Sequence, residues 1–291
     1  MFKGSIVALI TPFREESFDE AAYRSLIEWH LEQGTDGFVA CGTTGESPVL
    51  SHDEHRHVVE TCVAAAGGRA PVIAGTGSNS TAEAVALTQH AEKAGADAVL
   101  VVTPYYNKPG QEGLYLHFKA IHDASAVPII IYNIPGRCVI DMSVETMARL
   151  AELPRIIGVK DATADLNRPI RTRAAIGSDF CQLSGEDATA LPFLAAGGHG
   201  CISVSANVAP AACAQMQKAW RDGDVAAASR ISDQLSTLHA AMFCESNPIP
   251  VKYAASLLGK CAPDVRLPLQ PISVASKGTV EKAMRSAGLI N

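Results

Sequence analysis

Short apolar runs recur through the first two thirds of the chain, at residues 6–9, 37–41, 72–75, 98–102, 129–132, 156–160, 181–184 and 200–203. Each is too short for a helix and is rich in Val, Ile or small residues. Near-continuous runs of this kind, without polar alternation, predict parallel strands covered on both faces. Between them the apolar spacing is helical. Ala22, Leu26 and Trp29, with Ile27 and Leu31, form a stripe that stops at Gly34. Ser51-His52-Asp53-Glu54 and Ser80-Thr81-Ala82-Glu83 have capping-box spacing and predict helices running to Gly67 and Gly95. Further helices are predicted near 111–124, 143–153, 166–175, 187–196 and 210–221. Eight strand-like runs alternating with eight helix-like runs predict an α/β chain folded as a (β/α)8 barrel over residues 1–222. Beyond Asp222 the strands stop. Helical segments at 226–244, 250–258 and 279–287 predict a C-terminal helical appendage, residues 223–291. The alternative is an open doubly wound sheet, for which no G-x-G-x-x-G turn follows a strand.

Composition narrows this picture only slightly. With 291 residues and 47% hydrophobic positions the chain can bury a large core, and barrels of ~250 residues form one domain. A net charge of -6 leaves no basic face for nucleic acid. The eight cysteines include no C-x-x-C pair and no zinc-type histidine spacing, so reduced, buried thiols and no metal are expected. The apolar run at 6–10 is too short for a signal segment or a membrane span, and no later one is long enough. A cytoplasmic protein is the expectation.

In such a barrel the active site lies at the C-terminal ends of the strands. Lys160 closes an apolar run there. Desolvation disfavours the charged form of a lysine, and a neutral amine attacks ketones to form an imine; the ordinary alternative is a strand-end lysine that snorkels to solvent. Tyr132 closes the preceding strand. Adjacent strands lie ~4.8 Å apart, so side chains at one level can meet, and a phenol beside the amine can shuttle protons. A core tyrosine with a satisfied hydroxyl would give the same pattern. Thr43-Thr44, in a glycine-flanked loop, can hold a carboxylate through hydroxyl and N–H groups, although Gly/Thr turns are common. Arg137, after a Pro-Gly turn, offers a planar fork to a second carboxylate, or is a surface arginine.

These residues carry a resemblance to the dihydrodipicolinate synthase family, within the N-acetylneuraminate lyase superfamily. It runs from Gly4-Ser5-Ile6-Val7 to Ala287-Gly288-Leu289. Its most specific pieces include Gly42-Thr43-Thr44-Gly45-Glu46-Ser47, Thr103-Pro104-Tyr105-Tyr106-Asn107, Tyr132-Asn133-Ile134-Pro135, Gly158-Val159-Lys160-Asp161-Ala162-Thr163 and Asn247-Pro248-Ile249-Pro250-Val251-Lys252. The resemblance implies that Lys160 condenses with pyruvate, and that Tyr132, Thr43 and Tyr106 relay protons, Tyr106 reaching in from a neighbouring subunit. It implies that Thr44 holds the pyruvate carboxylate and that Gly185 and Ile202 contribute backbone oxygens. The enamine would then attack L-aspartate 4-semialdehyde, whose carboxylate meets Arg137, to give 4-hydroxy-tetrahydrodipicolinate for lysine and diaminopimelate synthesis. No metal and no organic cofactor are implied.

The resemblance also implies a homotetramer of two tight dimers and an L-lysine effector site at Ser47, Pro48, His52, His55, Asn79, Glu83 and Tyr105. Two other readings stay open. A sister aldolase of a sugar acid, such as an N-acetylneuraminate lyase, would use the same Lys160 and Tyr132; Arg137 and Tyr105-Tyr106 favour the short charged aldehyde. A catalytically silent barrel that serves as a binding or regulatory protein would gain no mass on borohydride trapping with pyruvate.

Overall fold

The structure is a computed structural model that describes residues 2–291. Its strands, in chain order, are β1 (Gly4–Ala8), β2 (Phe13–Arg14), β3 (Ser17–Phe18), β4 (Gly37–Ala40), β5 (Val72–Gly75), β6 (Ala98–Val102), β7 (Ile129–Asn133), β8 (Ile156–Asp161), β9 (Cys181–Ser184) and β10 (Gly200–Ser203). The helices are α1 (Glu20–Glu32), α2 (His52–Ala66), α3 (Thr81–Ala94), α4 (Gln111–Ala124), α5 (Pro135–Cys138), α6 (Val144–Ala151), α7 (Arg168–Ile176), α8 (Ala190–Ala195), α9 (Pro210–Arg221), α10 (Val225–Ala241), α11 (Ile249–Leu257) and α12 (Val274–Ser286). The eight long strands coincide with the eight apolar runs and close into a barrel in the order β1-β10-β9-β8-β7-β6-β5-β4. Helices lie between them, and helices alone follow α9. The hairpin β2-β3 escapes a periodicity reading because each strand is two residues long.

By contact density the chain divides into two compact units, one formed mainly by Val72–Ile202 and the other by Gly4–Pro71 with Ser203–Asn291. The core of the first is built from β-branched and aliphatic strand residues, among them Ile73, Val99, Val101, Ile129, Ile130, Ile131 and Val159, each at most 1% exposed. In the second, α1 packs on α2, and α10 packs on both α9 and α12. Among the described residues no helix is long and apolar enough to cross a membrane. All eight cysteines are free thiols; six are buried as expected, while Cys244 is exposed and Cys261 half-buried.

One irregularity sets up the site. β7 and β8 pair in parallel with Ile129 opposite Ile156, but the next pair is Ile130 with Gly158. The bulge adds Ile157 to β8. Because side chains alternate along a strand, a one-residue shift exchanges the faces. Without the bulge Tyr132 would stand opposite Val159; with it, Tyr132 stands opposite Lys160. Gly158 sits at the shift because nothing larger fits. A Cβ there would lie 2.3 Å from the carbonyl oxygen of Cys181 and 2.6 Å from its Cβ. Gly158→Ala is therefore expected to destabilise the protein by about 1–3 kcal/mol or more, since the clash is with backbone. A thermal melt checks this, and an unchanged melting temperature would show that β9 yields freely.

Candidate active site

Lys160 and Tyr132 occupy the ends of neighbouring strands, one level before the last residue of each. Both are buried, at 7% and 6% exposure, and the lysine Nζ lies 4.2 Å from the centroid of the tyrosine ring. The contact anticipated from strand spacing is thus present. It takes the form of an amine over an aromatic face, an attraction worth about 0.5–2 kcal/mol. On its other side Lys160 pairs with Leu183 of β9. Gly185 follows that strand, and its N–H donates to the Asp161 carbonyl at 2.6 Å. A Cβ at Gly185 would stand 3.1 Å from Lys160 Cε and 2.8 Å from Ala162 Cβ. A methyl there would press first on Ala162, and then on the Asp161 carbonyl oxygen at 3.1 Å and on the lysine stem.

Glu186 was not among the site residues read from the sequence, yet it senses the Lys160 charge. Burial pushes its carboxyl up, Asp187 adds to this, and Lys160 pulls it back. Its place in Ser184-Gly185-Glu186-Asp187 at the end of a strand was the available signal. Ile202, 1% exposed, lies on β10, which pairs with β9 through Gly200–Leu183 and Cys201–Ser184. Arg137 is exposed on the single turn α5, whose N–H groups at 137 and 138 both donate to the Ile134 carbonyl. The turn ends at Val139, held at φ 70 and ψ -36. For a β-branched residue this is a costly conformation that persists only where its surroundings enforce it.

In the other unit, the loop after β4 carries Thr43 and Thr44. Thr44 is 3% exposed, and its Oγ1 accepts from Asn247 Nδ2 at 3.0 Å, so its own proton remains to be donated. That polarity suits an anion. Glu46, two residues on, adopts φ 55 and is buried. Its Oε1 accepts from Lys252 Nζ at 2.6 Å and its Oε2 from the Arg266 backbone N–H at 3.0 Å. Lys252 is more deeply buried than Lys160, at 0%. Burial pushes its ammonium down and Glu46 pulls it back. This lysine is committed to a carboxylate, which separates it chemically from Lys160.

The seven residues expected to hold an effector fall into both units. Ser47 and Pro48 form a short 3-10 turn before the Ser51 cap, with His52 exposed and His55 buried on α2. The capping box is complete: Ser51 Oγ accepts from Glu54 N and Glu54 Oε2 accepts from Ser51 N. Hydrogen bonds from Arg266, opposed by burial, hold the Glu54 carboxyl down at about 2. At the second predicted box only half forms. Ser80 Oγ accepts from Glu83 N, but the Glu83 carboxylate accepts from Ser78 Oγ instead of the cap N–H. Asn107 Nδ2 donates to the Asn79 carbonyl at 2.8 Å and its N–H donates to the Tyr105 carbonyl, tying the Tyr105-Tyr106 loop to Asn79. Tyr106 is 89% exposed at φ 68, whereas Tyr105 is 36% exposed.

Comparison with known proteins places this geometry in a wider set. Residues 1–287 match the model of the dihydrodipicolinate synthetase family. A 4-hydroxy-tetrahydrodipicolinate synthase of Rhodospirillum centenum is 64% identical over 290 residues, covering 100% of both chains. The crystal structure of the chloride-inhibited dihydrodipicolinate synthase from Acinetobacter baumannii, complexed with pyruvate, superposes with a TM-score of 0.97 at 45% identity, covering 100% of both chains. The synthase of Cyanidioschyzon merolae with lysine bound superposes at 0.96 and 40% identity, covering 99% of both.

Gly185→Ala tests the space around the lysine. The added methyl, 2.8 Å from Ala162 Cβ, must displace the end of β8, and it is expected to lower the melting temperature and to slow borohydride-trapped imine formation with pyruvate about tenfold or more, because sub-ångström displacement of a reacting group is costly. Trapping within twofold of the parent rate would show that Lys160 does not depend on the gap.

Proposed function

The chain belongs to the dihydrodipicolinate synthetase family and is a lyase that makes 4-hydroxy-tetrahydrodipicolinate from pyruvate and L-aspartate 4-semialdehyde, on the route to diaminopimelate and lysine; we propose that Lys160 is the amine on which the reaction runs. The observation that carries this assignment is the buried Lys160 Nζ over the Tyr132 ring, with Gly185 leaving room for its stem. Lys160 attacks the keto carbon of pyruvate and loses water to form the imine. Loss of a methyl proton gives the enamine, whose carbon attacks the aldehyde; the imine so regenerated is attacked by the semialdehyde amine, which closes the ring and expels Lys160 as the free amine. Tyr132, Thr43 and Tyr106 move protons through these steps. Thr44 donates its hydroxyl proton to the pyruvate carboxylate, since its oxygen already accepts from Asn247 Nδ2. Gly185 and Ile202 offer backbone oxygens, and Arg137 holds the semialdehyde carboxylate, a charged group that a sugar-acid aldolase would not need to meet.

The reading extends to assembly and control. The chain works in the cytoplasm as a homotetramer of two tight dimers, with Tyr106 entering a neighbouring subunit's site. The exposure of this aromatic at a strained backbone position supports that placement. L-Lysine is an effector held by Ser47, Pro48, His52, His55, Asn79, Glu83 and Tyr105. The lysine-bound relative supports this, as does the Asn107 tether that joins Asn79 to the Tyr105-Tyr106 loop. Binding at Asn79 and Tyr105 would bias a loop that carries a relay residue, which is the coupling that inhibition requires.

Two measurements follow. Lys160→Ala should remain folded, gain no mass on borohydride treatment with pyruvate, and lose activity on the order of 10³-fold or more. An adduct on Lys252 or Lys108 with Lys160 unmodified would sink the assignment. Millimolar L-lysine should lower the initial rate of the parent, and His55→Ala and Glu83→Ala should each blunt the inhibition. A parent rate indifferent to lysine ends the effector reading, and inhibition that survives both substitutions moves it elsewhere.

A further inference from the structure

The residues that follow Tyr132 and Lys160 are Asn133 and Asp161, and they pair with each other in the sheet. Strand alternation turns them to the face opposite the reacting pair. Both are buried and polar, with Asn133 at 0% and Asp161 at 6% exposure, and neither has a part in the chemistry above. Their partners form one network. Asn133 Nδ2 donates to Asp141 Oδ1 at 2.7 Å, and Asn133 Oδ1 accepts from Met142 N at 3.0 Å. Arg168, at the start of α7 and 5% exposed, donates from Nη1 to Asp141 Oδ2 at 3.0 Å and from Nη2 to the Met142 carbonyl. Its Nε lies 3.0 Å from Asp161 Oδ2, while Asp161 Oδ1 accepts from Thr163 N and Oγ1 at 2.9 and 2.6 Å. Gln111 adds a hydrogen bond to the Asp141 carbonyl at 2.8 Å.

The segment between Asn133 and Asp141 contains α5 and Arg137. Its two ends are joined to each other by the Asn133–Asp141 bond and to β8 through Arg168. Within it Val139 is held at positive φ, a conformation that persists only where its surroundings over-determine it. We propose that Arg168 and Asp141 form a clamp that positions Arg137, so that preference for a carboxylate-bearing aldehyde is set by an ion pair outside the pocket. This rests on the role given to Arg137 above. Arg168 donates to two acceptors and ion-pairs with Asp161 through one planar group, which a lysine cannot reproduce. Arg168 and Asp141 are positioning residues: neither touches substrate.

Asp141 is the residue to change, because its side chain is 49% exposed and its loss leaves the buried Arg168–Asp161 pair in place. In Asp141→Ala, KM for L-aspartate 4-semialdehyde should rise about tenfold, the loss of one charge-assisted contact. KM for pyruvate and the borohydride trapping rate should stay within twofold. Asp141→Asn keeps an acceptor for Asn133 and should fall between the two. In the Arg137→Ala background, Asp141→Ala should add little, since both act on one contact. An unchanged semialdehyde KM, parallel loss of pyruvate trapping, or full additivity with Arg137→Ala would each overturn the clamp. Failure of the parent itself to trap pyruvate would instead overturn the assignment of Lys160.

Discussion

A buried lysine amine held against an aromatic ring at the ends of two paired strands is the constraint around which this structure is arranged. Removing an ammonium from water costs several kcal/mol even after relaxation. The chain meets that cost in two ways. Lys252 is given a carboxylate at 2.6 Å and a shared face of Phe13, and is thereby tied up. Lys160 is given a ring face and, among the described residues, no ion pair. A cation–π contact offsets less of the penalty than a carboxylate does, and it leaves the nitrogen lone pair open to reaction once the proton is lost. The β8 bulge, Gly158 beside it and Gly185 beyond are what make the arrangement possible. One sets which face the amine takes, one lets β9 approach, and one leaves volume for the stem.

Most of the fold can be read from periodicity because every barrel strand is covered on both faces and so appears as a solid apolar run. Where the signal fails, the reason is local. Strands β2 and β3 are two residues long and have no period to show. Helix α12 begins at Val274, five residues before the predicted start at 279, because Ser273 caps it by accepting from Ser276 N. The Ser80 box is half-formed because a nearer hydroxyl, Ser78, takes the Glu83 carboxylate. At the site, Lys160 and Tyr132 are legible because each closes a run and adjacent runs pair. The bulge that aligns them is not, since Ile156-Ile157 reads as an unbroken strand. The need for glycine at 185 is not legible either, because it arises from Ala162, the Asp161 carbonyl and the Lys160 stem, all at the end of β8 and distant in sequence.

The polar network behind the strand ends shows a different kind of invisibility. Asn133, Asp141, Asp161 and Arg168 are scattered over 36 residues, and no spacing in the sequence links the four to one another. They meet only because parallel register brings Asn133 level with Asp161 and the following helix returns over that edge. Alternation then divides the work at each strand end. One residue faces the reaction and the next faces the support. An enzyme built this way can vary what it accepts by changing the segment between Asn133 and Asp141 while the imine chemistry on the other face stays the same. The physical reason is that Lys160 sits on a strand whose place in the barrel is fixed by backbone hydrogen bonds. Arg137 hangs on a short turn whose ends are held by side chains, and side chains are what substitution alters most readily.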